Sequence, residues 1–302
     1  MSGLTKKNTQ AGRGYTRANE LIASPCVMSK SRATRLTTSN GSAYYRWTEM
    51  LTLPQNVLII ILTMGVSLLF MVGLNRLWPV DKRHTDNDLV GWQLSVLGTT
   101  YAVTLGFMLY TGWTNFTAAY LNVELEANSL RNIYRLAEGL PQQRAEIQSL
   151  ARAYADAVVN HDWPDMAVGR LPEDSHLINE QIWKAFMSIK VASPSELMAE
   201  DHALSELSSL TMHRRTRLLQ STYELPSIFW WVLMTGGVLT VLSVSMFGSA
   251  KPRVHTLQVF SLTLLVTLVM LAIADVDRPY QGWVHITSYA FDRAQATMHD
   301  LK

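Results

Sequence analysis

In the stretch "GWQLSVLGTTYAVTLGFMLYTGW", residues 91–113, an amide and several hydroxyls punctuate an apolar run. On a helix at about 100° per residue, with Gly98 at zero, Gln93, Thr100, Thr104 and Thr111 cluster near 200–240°. Val96 and Phe107 flank them. A narrow polar line of this kind can replace part of an ion's hydration shell, and bulky apolar neighbours can constrict the path. The same threonines can instead bond carbonyls four residues back and face lipid or another helix. The wheel leaves both readings open. The opposite side carries Gly98, Ala102 and Gly106 within about 80°, a small-residue face on which helices can approach closely in a membrane.

Other chemistry is sparse. Arg131 and Arg135 stand one turn apart and could draw anions toward a mouth. They could equally pair with Glu124, Glu126 or Glu138 along their own helix. "HDWPD" groups His161, Asp162 and Asp165, but zinc and calcium need more ligands at tighter spacing, and a polar turn explains it more simply. The single cysteine, Cys26, lies near the N-terminus, so neither a disulfide framework nor a cysteine metal site is expected. There is no Gly-rich phosphate loop, no Gly-x-Ser-x-Gly and no His-Glu-x-x-His. We expect no enzyme activity, no cofactor and no metal. Residues 114–224 hold ten basic against fifteen acidic side chains, which disfavours nucleic acid as a partner.

The elements that must hold these residues follow from charge distribution. No Asp, Glu, Lys or Arg occurs in Met50–Asn75, Leu89–Val123, Leu225–Ala250 or Val254–Ala274. Each run exceeds the ~20 residues that cross a bilayer as helix, so four spans are expected. The second is longer than a membrane requires and is expected to leave it near Asn115. Trp78, Trp92, Trp113, Trp230 and Trp231 fall at the proposed edges, where indoles favour the interface. Residues 1–50 carry eight Lys/Arg against Glu20 and Glu49 and show no secretory signal pattern. They read as a disordered basic tail. Basic residues there, with Arg214, Arg215 and Arg217 before span three, favour a cytoplasmic lobe and cytoplasmic termini in a bacterial inner membrane.

Between the two hairpins the chain reads as helical. Val123, Ala127, Leu130, Tyr134 and Ala137 return at helical spacing, and Gly139 and Pro141 stop the helix. A second helix runs through "QQRAEIQSLARAYADAVV", and 160–175 reads as a loop from its Pro, Gly and Asp content. "HLINEQIWKAFMSI" is amphipathic. "SPSE" starts the last lobe helix, with Ser193 as cap, Pro194 first and Glu196 completing a capping box. After span four, Asp275 and Asp277 end the apolar run, Pro279 fixes the backbone and Gly282 permits a turn. This exit is either an ordinary terminus or an anchor for the lobe through Arg214 or Arg215. The expected divisions are a tail at 1–50, a first hairpin at 51–113, a helical lobe at 114–224, a second hairpin at 225–275 and a C-terminal tail at 276–302.

The stretch 101–141 resembles a bacterial bestrophin-like family of membrane proteins. The matching features are Gly106-Phe107, Trp113, Tyr120, Glu126-Ala127, Leu130, Tyr134-Arg135 and Leu140-Pro141. Tyr154 and Trp163-Pro164 fit the next stretch. "DVDRPYQGW" is similar to that family's Asp-Arg-Pro-Phe-x-Gly segment, with Tyr280 in place of Phe. The resemblance runs from about Gln93 to Thr297. It points to a remote relationship with bestrophins proper, pentameric anion channels whose second span lines the pore. It lacks their Arg-Phe-Pro motif and acidic calcium clasp.

Together these readings give an all-α membrane protein of four transmembrane helices, in two hairpins separated by a helical soluble lobe. The resemblance implies a homo-oligomer, a pentamer by analogy, that passes small ions, anions foremost, with membrane lipid as its other partner. In that scheme Gln93, Val96, Thr100, Thr104, Phe107 and Thr111 line the path. Gly98, Ala102 and Gly106 pack neighbouring spans, and Arg131 and Arg135 mark the cytosolic mouth. The alternative is a non-conducting sensor or scaffold whose lobe binds a partner.

Overall fold

Apolar runs without charge cannot leave backbone groups unpaired in hydrocarbon, and helices satisfy them internally. The computed structural model describes residues 53–78, 83, 86–249 and 251–300. Four of its helices are long and apolar enough to span a membrane. They are α1 (Leu53–Leu77), the first part of α2 (Asn87–Leu136), α7 (Ser227–Ser245) and α8 (Pro252–Val276). The basic tail at 1–50, with Cys26, lies outside the described residues.

No proline interrupts α2, so it continues from the membrane into the lobe as one rod about 75 Å long. A 3₁₀ turn at Ala137–Gly139 ends it. The lobe then adds α3 (Arg144–Ala157), α4 (Trp163–Ala167), α5 (Asp174–Met187) and α6 (Pro194–Thr222). Ser193 Oγ accepts the amide of Glu196 at 3.2 Å, and the Glu196 carboxylate accepts the amide of Ala192 at 2.8 Å. The "SPSE" start is therefore formed, with the reciprocal bond one residue earlier than in an ideal box.

Stretch 160–175 is a loop only over 168–173. A π turn at Val158–Asp162 leads straight into α4. The reason is burial: Val158, Asp162 and Met166 all point into the lobe core. That core joins Val123, Leu130, Ile133 and Tyr134 of α2 to Tyr154, Phe186, Leu207 and Leu210. The segment after span four also enters it. Helix α9 (Tyr289–Asp300) inserts Phe291, Ala294 and Met298, so much of 276–302 is built into the lobe.

Within the membrane part, α2 packs on α7 and α8, and α1 packs mainly on α8. Tyr101 of α2 lies in the gap left by Gly236 and Gly237 of α7, and its hydroxyl donates to the Leu233 carbonyl at 2.9 Å. A Cβ at Gly236 would sit 2.5 Å from the Tyr101 ring. Between α1 and α8, Ser67 and Thr263 share a hydrogen bond at 2.9 Å, and Thr267 donates to Thr63 at 3.2 Å. Ser261 stays exposed, so the hydroxyls of α8 form an internal seam and no continuous outer stripe. At the end away from the lobe, Arg83 and His255 reach the last carbonyls of α7, at Ser245 and Val244. Cations and polar donors there satisfy groups that a helix C-terminus leaves free.

Candidate functional site

Because α2 is continuous, the face buried in the lobe sets the phase of its membrane half. Tyr101, Leu105, Gly112 and Ala119 are buried and fall near 300–340° on the wheel that starts at Gly98. The face turned away from the rest of the chain is centred near 140°. It carries Val96 (51% exposed), Val103 (55%), Phe107 (65%) and Tyr110 (68%). Two of these, Val96 and Phe107, are residues the sequence places at the path. Val103 and Tyr110 share this face, which the spacing of the polar residues does not indicate. The signal that finds them is the apolar phase of 119–134, read upstream through an unbroken helix.

The threonine stripe lies to one flank of that face. Gln93 and Thr100 are exposed, and Thr104 and Thr111 are half-buried. The hydroxyls of Thr100, Thr104 and Thr111 donate to the carbonyls of Val96, Thr100 and Phe107 at 2.8, 3.0 and 2.9 Å. Thr114 and Thr117 do the same one and two turns on. On the other flank, Ala102 and Gly106 are exposed, Gly98 is half-buried, and no atom lies within 4 Å of a Cβ built at either glycine. Within the spans, the glycines where a Cβ would come within 3.0 Å of a neighbouring side chain are Gly236, Gly237 and Gly112.

The contrast with α1 is chemical. The exposed side chains in the body of α1, Leu58, Ile61, Leu62, Val66, Leu69 and Phe70 among them, are apolar. The uncovered sides of α2 carry Gln93, Ser95, Thr99, Thr100 and Tyr110 among their apolar residues. Further along α2, Asn128 and Arg135 continue the exposed side into the lobe. Arg131 is half-buried and donates to Asn128 at 3.1 Å. Neither arginine pairs with Glu126, and Glu138 instead meets Arg144 at 3.5 Å.

Glu126 belongs to a buried ionic cluster that spacing alone does not reveal. Arg217 of α6 donates to both of its oxygens, at 2.8 and 3.1 Å, and to Asp162 Oδ2 at 2.9 Å. Glu126, Asp162 and Arg217 are each 0% exposed. Tyr154 donates to Glu126 at 2.7 Å, and the guanidinium lies over the Trp163 ring. Burial works against the charge of Arg217, but Glu126 beside it overrides this and holds the guanidinium firmly protonated. Burial, then the Glu126 charge, pushes the Tyr154 hydroxyl well up. "HDWPD" is therefore no solvated turn at Asp162. Among the described residues no group of three or more His, Cys, Asp or Glu could hold a metal.

The exit from span four is structured as a double cap. Both oxygens of Asp277 accept the Leu225 amide, at 3.0 and 3.3 Å, tying the end of α8 to the chain just before α7. The partner is thus a backbone amide, and Arg214 turns to Ser175 Oγ instead. Asp275 accepts the amides of Trp283 and Val284 at 3.2 Å each. Gly282 sits at φ 82, where a Cβ would be strained and would meet Asp275 at 2.7 Å. The Pro279 carbonyl accepts Ile286 at 2.8 Å, closing the turn. Trp163 then bonds the Ile286 carbonyl at 3.1 Å, so the exit rests on α4.

This arrangement of spans, rod and lobe has known counterparts. A bestrophin-like domain family matches residues 61–291. Two variants of a bacterial bestrophin homolog from Klebsiella pneumoniae share the fold. Their TM-scores are 0.62 and 0.63 at 13% and 12% identity, over 80% and 82% of this chain and 98% and 100% of theirs. A variant of a solved membrane protein gives 0.59 at 10% identity, over 82% of this chain and 99% of its own. No curated protein matches. With most of its length matched by the family, the chain belongs to the bestrophin-like domain family and is an integral membrane protein.

Proposed function

We propose that copies of this chain assemble around an axis lined by α2 and conduct small ions passively, anions foremost. One observation carries the reading. The uncovered sides of α2 bear amide, hydroxyl and phenol groups at membrane depth, whereas the body of α1 exposes apolar side chains there. Polar groups facing lipid gain nothing, and facing a watered axis they keep their hydration. In this arrangement Val96, Val103 and Phe107 narrow the path. Gln93, Thr100, Thr104 and Thr111 lie on the flank toward a neighbouring copy. Gly98, Ala102 and Gly106 form the opposite flank, where a second subunit can approach closely. Exposed Arg135, with Arg131 beside it, supplies positive potential at the lobe end.

The test is flux through liposomes holding the purified oligomer, normalised to assembled protein. Wild type should pass monovalent anions under an imposed potential, and Phe107→Ala should raise the leak. Gly98→Leu and Gly106→Leu should leave the subunit folded but break the oligomer, since space around these glycines is free within one chain. A wild type that passes no small ion at any potential, with Phe107→Ala equally silent, would end the channel reading. The non-conducting scaffold would then stand.

A further inference from the structure

Within the channel reading, the polar groups on α2 are not equivalent. A hydroxyl has one hydrogen to donate. Thr100, Thr104, Thr111, Thr114 and Thr117 each spend it on a carbonyl of the preceding turn, at 2.8–3.0 Å. What these residues offer outward is lone pairs and methyl groups, which do not attract an anion. Tyr110 differs in three respects. It lies within about 20° of the outward direction of α2, it is 68% exposed, and among the described residues its hydroxyl has no hydrogen-bond partner. Ser95 and Thr99 also keep hydroxyls unbonded among the described residues, but theirs sit one bond from Cβ, close to the helix surface. The phenol reaches across the width of its ring. It also stands one turn inside Trp113, at the lobe end of the span, on the side that Arg135 continues.

We propose that Tyr110 sets ion preference: its hydroxyl, repeated around the axis by each copy, donates hydrogen bonds to a small monovalent anion as the anion sheds water. The threonine stripe is then a passive wall. This rests on the channel reading above, and two measurements separate the fates of the two ideas. The first is the anion-to-cation permeability ratio in liposomes, from reversal potentials in a salt gradient. Tyr110→Phe keeps the ring and removes the donor, so conduction should persist while the ratio falls by about 2- to 10-fold, the worth of one modest hydrogen bond. Ser261→Ala, which removes an exposed hydroxyl from α8 away from the path, should leave the ratio unchanged. The second measurement places Tyr110→Cys in a Cys26→Ser background and treats the assembled protein in liposomes with a charged, water-soluble thiol reagent. The introduced thiol should react and reduce the flux.

A Tyr110→Phe protein that conducts with the wild-type ratio overturns the assignment and leaves the channel standing. An unreactive thiol in a conducting oligomer also overturns it, because the side chain then faces lipid or a subunit contact. A wild type that does not conduct removes the channel reading, and this inference falls with it.

Discussion

Arg217 stands between two carboxylates, Glu126 and Asp162, in a pocket closed to solvent and floored by Trp163 and Met166. Its planar fork is what lets one side chain serve three oxygens from α2 and the π turn. Removing it leaves two buried carboxylates without a countercharge, a loss on the order of 3–5 kcal/mol. Arg217→Met should therefore lower the apparent melting temperature of the solubilised protein by roughly 6–20 °C. Arg217→Lys keeps the charge but not the fork and should recover only part of it. Wild-type melting in Arg217→Met would show that the cluster contributes nothing to stability. Along α2 the arginines nearest to Glu126, Arg131 and Arg135, stand five and nine residues on, too far around the helix to pair with it. Its actual partner lies 91 residues away, on a helix whose approach no local pattern encodes.

At the scale of elements, the α8 exit joins the two ends of the second hairpin through Asp277 and the Leu225 amide. Burial raises the Asp277 carboxyl to about 6, the Leu225 N–H opposes this, and Glu224 and Arg278 push in opposite directions. The folded state thus holds this proton more tightly than the unfolded chain, whose carboxyl titrates near 3.9. Stability from this group is full below about pH 4 and is lost as pH rises through about 6. Melting of the wild type should fall between pH 5 and 7.5, and Asp277→Asn, which cannot ionise, should flatten that slope. An identical slope in the two proteins would assign the pH dependence elsewhere. Pro279 and Gly282 announce a turn here from sequence alone. That Asp275 caps it and Asp277 ties the hairpin ends depends on where the chain returns.

Across the whole molecule, the proposed orientation puts the lobe in the cytoplasm. Ser195 and Lys251 are exposed at opposite ends, one starting α6 and the other preceding α8. With Ser195→Cys and Lys251→Cys each in a Cys26→Ser background, an impermeant thiol reagent added to intact cells should label only the second. Label on Ser195→Cys would invert the topology. Four spans, a helical lobe and the capped start at Ser193 were legible in the sequence. Uncharged length, helical periodicity and capping chemistry are local properties that each segment carries in itself. Which side of α2 is left uncovered was not legible, because the wheel of a membrane span has no solvent to mark its outer side. Only packing on α7 and α8, with Tyr101 entering the gap at Gly236 and Gly237, decides that Tyr110 faces away from the chain. The same holds for α9 joining the lobe core and for Arg217 meeting Glu126. Such pairings form between distant segments, where the gain from burial is shared, and neither partner's sequence contains it alone.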